Sequence, residues 1–297
     1  MILFGTNPIA WTNDDDHSIG AHLTLDDCLS DCRQIGFDGI EKGHLMPDDG
    51  AALKARLGGY GLRFVGAWHS TNLLTNDIDT EKAALMRMIE MIRAAGGSHI
   101  NACECSNTVH GNDAVAVNDR PVMSDAEWDR FSTGYEELSR FAREQGAVMG
   151  YHHHMGTIIE SPADIDRFMD MAGPDTRLLL DTGHCLFGGG DPAAMARRYM
   201  DRVTHIHAKN IRRPVMEQVR AEGLSFLEGV RRGVFTVPGD PEGCVDFPPV
   251  LKAAADAGYQ GWLVIEAEQD SALRNPLEYQ GMGNRALRRM AAEAGLV

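Results

Sequence analysis

The chain has 297 residues, 43% of them hydrophobic, enough for a large core and consistent with one domain spanning residues 1–297. A formal charge of −15 argues against nucleic acid and membrane as partners, because both phosphate backbones and anionic lipid repel an acidic surface. No apolar run approaches a membrane span, and the start MILFGTNPIAW lacks the basic region, apolar run and small-residue cleavage site of a secretory signal. Cys28, Cys32, Cys103, Cys105, Cys185 and Cys244 form no paired C-x2-C knuckles, so reduced thiols in a cytoplasm are expected rather than a disulfide framework.

Along the chain, short β-rich runs alternate with longer amphipathic segments. ILFGT (2–6) precedes a helix expected over TLDDCLSDCRQIG, entered at the capping residue Thr24 and left at Gly36. FDGIE (37–41) and LRFVGAWH (62–69) follow, then a helical pattern in TEKAALMRMIEMIRAAGG and the run SHINACE (98–104). Ser124 opens the helix DAEWDRFSTGYEELSRFAREQG, AVMGYHH (147–153) is the fifth run, and Ser161 opens a further helix. RLLLD (177–181), VTHIH (203–207) and WLVIE (262–266) complete the series. Eight alternations over ~250 residues predict an α/β fold, a (β/α)8 TIM barrel with helices outside. A doubly wound open sheet is the weaker choice, since no G-x-G-x-x-G follows the first run. The segment 210–235 has the character of a lid or contact insertion, and a homo-oligomer is compatible with it.

A barrel of this kind carries its functional groups at the C-terminal ends of the strands. The runs end in Glu41, in Trp68 and His69, in Glu104, in the triplet His152-His153-His154, in Asp181, in His207 and in Glu266. Because a strand alternates its faces, His152 and His154 point one way and His153 the other. His205 shares the face of His207 one layer deeper, and Lys209 continues that face outward, where it could reach a substrate oxygen. Glu268 lies one step beyond Glu266 and suits a loop-anchoring charge, while Cys103 and Cys105 flank Glu104 and point away from it as buried thiols. Asp181, His207 and Glu266 come from three successive strands. Two carboxylates and an imidazole suit a divalent ion of intermediate hardness such as Mn²⁺, Co²⁺ or Zn²⁺.

The stretches NPIAWTNDD, YHHHMGT, DTGH, HIHAKN and LVIEAEQD resemble the inosose dehydratases of inositol catabolism, and the likeness runs from residue 2 to about residue 295. These enzymes lie within the xylose-isomerase-like barrels, a group that includes sugar epimerases, sugar isomerases and endonuclease IV proteins. DTGH and H-x-K mark only that wider group; NPIAWTNDD and YHHHMGT are more specific. The resemblance implies one divalent ion, Mn²⁺ or Co²⁺, held by His152, Asp181, His207 and Glu266, with His152 standing where relatives that only move protons carry Glu. A slip of two residues would put His154 in that place instead.

The substrate implied is 2-keto-myo-inositol, which loses a proton beside its ketone and a hydroxide from the next carbon to give a trihydroxycyclohexane-1,2-dione. A histidine of the triplet can protonate the departing hydroxide near neutral pH, as elimination requires. Glu266, Glu41 and Glu104 are the candidates for the base. Trp68 offers an apolar platform for the ring, and His69, His184 and Lys209 are candidate hydroxyl contacts. No Walker loop or dinucleotide fingerprint is present. The alternatives are a sugar or ketose epimerase or isomerase on the same barrel, a non-catalytic sugar-binding barrel, and an endonuclease IV-like protein, the last opposed by the acidic charge.

Overall fold

A computed structural model describes residues 1–297. Its main sheet contains β1 (Ile2–Thr6), β2 (Gly39–Ile40), β3 in two pieces (Arg63–Phe64 and Gly66–Thr71), β4 (His99–Glu104), β5 (Val148–His152), β6 (Arg177–Asp181), β7 (Val203–His207) and β8 (Gly261–Ile265). All neighbours pair in parallel in the order β3-β2-β1-β8-β7-β6-β5-β4-β3. The first piece of β3 pairs with β2 and the second with β4, so this one strand closes the ring.

The interruption at Val65 has a consequence for the site. Val65 faces the barrel interior, where it packs with Trp262 and Val264 as a small apolar floor. After the break, Trp68 and Ser70 face the interior and His69 does not. Uninterrupted alternation would have put His69 inside with Val65. Gly39 makes the floor feasible, since a Cβ there would lie 2.7 Å from the Trp262 ring.

The helices begin where the sequence predicts. Thr24 with Asp27, Ser124 with Glu127 and Ser161 with Asp164 each form reciprocal caps, opening helices Leu25–Ile35, Asp125–Glu144 and Pro162–Met171. A core of 59 buried residues lies between the barrel wall and these outer helices. No helix is long and apolar enough to cross a membrane.

The segment 210–235 is ordered around its own core. Asn210–Ile211 and Phe235–Thr236 pair antiparallel, and helices Arg213–Glu222 and Phe226–Arg231 lie between them. Its apolar side joins Ile19, Val117, Met155 and Phe187 in a second cluster of 11 buried residues. Phe226 from this cluster packs against His154, at 5.0 Å between ring centroids, so the segment roofs one side of the barrel mouth.

Candidate active site

The mouth holds a cavity of about 400 Å³ lined by side chains from the strand ends and the loops after them. On one wall, the ligand atoms of His152, Asp181, His207 and Glu266 all lie within 4.8 Å of one another, and all four residues are buried. His152 Nε2 is 3.4 Å and His207 Nδ1 3.6 Å from Asp181 Oδ2, while His207 Nδ1 is 2.8 Å from Glu266 Oε2. Asp181 has a second task. Its Oδ1 accepts from the His184 backbone N–H at 2.8 Å and caps helix Thr182–Phe187, which leaves Oδ2 aimed at the cluster.

This donor set fits a divalent cation. Two buried carboxylates and two imidazoles converge without a thiol, and the Nδ1 of His152 is buried with no partner in the protein. Burial opposes a charged His207, but Glu266 and Glu41 outweigh it and raise its pKa well above the ordinary value. A cation in the ring would take over that compensation. His207 Nε2 is 3.0 Å from Glu41 Oε1, a carboxylate–imidazole contact that fixes the ring with Nδ1 toward the cluster.

Glu41 does reach the mouth, but its oxygens are already occupied. Oε1 accepts from Asn101 at 2.6 Å as well as from His207, and Oε2 accepts from Asn7 at 2.7 Å. Burial favours the acid form, yet His207 and His205 hold Glu41 well below the carboxylate range. His205 sits one layer deeper, as its place on the strand predicts. Its Nε2 lies 3.0 Å from Glu41 Oε1 without hydrogen-bond alignment, and its ring approaches that of His99.

Three sequence expectations are corrected by the layer behind this wall. Lys209 and His184 do not line the cavity; both are fully buried beneath it. Lys209 Nζ is 2.6 Å from Glu268, 3.0 Å from Glu266 and 2.9 Å from His184 Nε2. Glu266 and Glu268 overcome the desolvation cost and keep this lysine charged. The roof formed by 210–235 turns Lys209 inward, so it balances carboxylates rather than meeting substrate. Gly183 lets it pass, because a Cβ there would lie 2.5 Å from Lys209 Cγ. Glu268, expected nearer solvent as an anchor, is buried, lines the cavity, and is pushed up to about 7 by burial, against the pull of Lys209.

Glu104 and His69 lie on the wrong faces for the mouth. In and just after β4, Asn101 and Cys105 line the cavity, so Glu104 between them points toward the helix layer. It accepts from Thr71 Oγ1 and Leu73 N, each at 2.9 Å, and from Ser106, tying together the loops after β3 and β4. The expectation for this strand was one residue out of phase, since Cys105 and not Glu104 faces the substrate side. His69 points to Arg87 and the outer helices, and burial lowers its pKa to about 4. The alternation in the triplet is as expected in placement: His152 and His154 line the cavity, and His153 is buried on the other face, accepting from Asp181 N at 3.3 Å.

The opposite wall comes largely from loops that sequence reasoning passed over. Trp68, at 36% exposure, stands edge-on to His152 and His154 as a platform. Beside it lie Asp15, Lys42, Thr108 and His110. Asp15 sits inside the stretch NPIAWTNDD, the one local signal that points to it. His110 has no sequence pattern around it at all.

The chain matches the xylose isomerase-like TIM barrel family over residues 29–290. It is 40% identical to the rhizopine catabolism protein MocC of Rhizobium meliloti over 99% of this chain and 90% of that one. It is 41% identical to the inosose dehydratase of Klebsiella pneumoniae over 96% of both chains. Among solved structures, a crystal structure of the IolI protein with a bound zinc atom superposes with a TM-score of 0.68 at 13% identity, covering 98% of this chain and 99% of that one. That last likeness concerns the fold; the sequence relatives carry more. The chain belongs to the inosose dehydratases, within the xylose isomerase-like TIM barrels.

Proposed function

We propose that the protein removes water from 2-keto-myo-inositol to give a trihydroxycyclohexane-1,2-dione, a hydro-lyase step in inositol catabolism. The observation that carries this reading is the pairing of a buried His/Asp/His/Glu cluster with a further imidazole, His154, in one cavity of about 400 Å³. The curated inosose dehydratases match over nearly the full chain, which supports the same substrate class.

His152, Asp181, His207 and Glu266 would hold a divalent ion of intermediate hardness, and among such ions the resemblance to the inosose dehydratases favours Mn²⁺ or Co²⁺. Such an ion supplies Lewis acidity that withdraws electrons from a ketone. The protein's own groups handle the protons. His154 Nδ1 is 2.8 Å from the carbonyl oxygen of Met155, which can only accept, so Nδ1 carries the hydrogen. In the neutral ring this leaves Nε2 as a lone pair, suited to take the proton beside the ketone. Glu41 and Glu104, each saturated by hydrogen bonds, are poorer bases in this arrangement. Glu41 serves instead to orient His207. The free thiols fit a reducing compartment such as the cytoplasm.

The direct test is to load the protein with Mn²⁺ or Co²⁺, add 2-keto-myo-inositol, and follow the absorbance of the dione. Turnover that disappears with a strong chelator and returns with metal is expected. Epimerised or unchanged ketone, with no loss of water, would refute the assignment.

A further inference from the structure

Elimination requires an acid for the departing hydroxide as well as a base for the carbon-bound proton. The triplet supplies the base more readily than the acid. His152 belongs to the cation ring, His153 faces away, and His154 presents a lone pair to the cavity. The acid has to come from elsewhere in the mouth.

His110 stands on the facing wall, its ring centroid 5.0 Å from that of His154 and 6.4 Å from that of Trp68. Its tautomer is fixed by a chain of hydrogen bonds. Thr108 Oγ1 donates to the carbonyl oxygen of Gly156 at 3.0 Å, which uses the only hydroxyl hydrogen. The same oxygen lies within hydrogen-bonding distance of His110 Nδ1, so it must accept from an Nδ1–H. Nε2 is therefore the atom that gains and loses a proton. It lies 3.8 Å from Asp15 Oδ1, too far for a hydrogen bond; burial holds the ring's pKa below its ordinary value and the carboxylate offsets only part of this, so the ring, once protonated, gives up its Nε2 proton readily. Asp15 and His110 both line the cavity, and neither belongs to the cation-holding set.

The pair is held by loop architecture. Asn13 Oδ1 accepts from the backbone N–H groups of Asp15 and Asp16, at 2.8 and 2.7 Å. Arg231 from the roof binds Asp16 and also Asp113, three residues past His110. Gly156, at φ 74°, allows the His110 backbone to come close; a Cβ there would be 2.9 Å from His110 N. Three separate loops thus converge to place one imidazole against one carboxylate.

We propose that His110 is the catalytic acid of the elimination, with Asp15 as the carboxylate beside its Nε2 and Thr108 as the positioning residue that fixes its tautomer. This rests on the dehydratase reading. As the C–O bond breaks, the His110 Nε2 proton passes to the leaving oxygen, the bonding pair departs with it, and water is released. The proton taken from carbon by His154 returns to solvent, and His110 is recharged from solvent through the open mouth.

The experiment uses the full-length metal-loaded protein with 2-keto-myo-inositol in deuterated water, measuring dione formation and exchange of the ketone-adjacent hydrogen separately. His110→Ala is expected to lower kcat for elimination by about 10²–10³-fold. Exchange and metal content should stay within about twofold of the parent, because neither needs the acid. Added imidazole should restore part of the lost elimination, which a structural role would not allow. Asp15→Asn and Thr108→Val, as checks against misfolding of the alanine variant, should each slow elimination by about 10-fold while sparing exchange. Parental elimination in His110→Ala, or equal loss of exchange and elimination in all three variants, would overturn the role of His110. A parent protein that forms no dione would instead overturn the dehydratase reading, and this inference with it.

Discussion

The two walls of the mouth are built by different means. The cation-facing wall uses β5 to β8, where the strand ends deliver His152, Asp181, His207 and Glu266, and a buried lysine behind them balances the charge. The facing wall uses loops, and its Asp15 and His110 are placed by side-chain turns and by Arg231, which bridges the roof to Asp16 and Asp113. The first wall is fixed by the barrel itself. The second is fixed by contacts between segments far apart in sequence. A mouth made this way can keep one chemistry on rigid strands while the rim decides what else reaches the substrate.

The largest effect should follow Asp181→Asn, which disturbs the strand wall at its most connected residue. Loss of a group that merely orients a ligand commonly costs about 10–100-fold in metal affinity, and removal of a ligand should exceed that. Metal content after dialysis and circular dichroism would check it; full occupancy at parental affinity would break the wall as described. Lys209→Met comes next. It leaves Glu266 and Glu268 without their counter-charge, which should cost about 3–5 kcal/mol in chemical denaturation of the metal-free protein. Added metal should recover part of that loss, and a variant as stable as the parent would show that the lysine is not the balancing charge.

Glu104→Gln separates the sequence expectation from the observed placement. The amide keeps only one acceptor oxygen and turns the other into a donor, so a loss of about 1–3 kcal/mol in stability is expected from the loops it ties. Catalysis by the folded variant should stay close to parental. Abolished turnover at undiminished stability would instead restore Glu104 to the reacting centre.

The smallest effect is expected at the rim in acid. The Arg231 hydrogen bond, against a weaker desolvation cost, holds the Asp113 carboxyl below its ordinary 3.8. The folded pKa is depressed, so this contribution is complete above the unfolded value and disappears as pH falls through the lower folded one. Amide exchange in residues 108–115 should therefore rise below pH 4 more steeply in the parent than in Arg231→Met. Parallel profiles would show that the bridge does not tie the rim.

The barrel and its strand-end chemistry were legible because each rests on local pattern. Alternating apolar runs, capping residues such as Thr24 and Ser124, and strands ending in Asp181, His207 and Glu266 are all encoded within a few neighbouring residues. The resemblance carried by YHHHMGT and NPIAWTNDD added the family and substrate class, which the comparisons bear out at 38–41% identity in the inosose dehydratases. Local pattern also placed His153 on the outer face of its strand and His205 below His207.

What the sequence could not decide was phase and depth. The break at Val65 turned His69 out of the mouth, and the phase of β4 put Cys105 inside and Glu104 outside. A period-two pattern names two faces, but only the pairing with neighbouring strands says which one is inward. Lys209 and His184 lie in the right direction yet beneath the cavity, because the roof formed by 210–235 closes over them. The pairing of Asp15 with His110, 95 positions apart in the chain, arises only when the loops after β1 and β4 meet under Arg231. Residue type and local spacing therefore determined the architecture and the cation-facing wall, while the facing wall depended on long-range contacts that exist only once the barrel has closed.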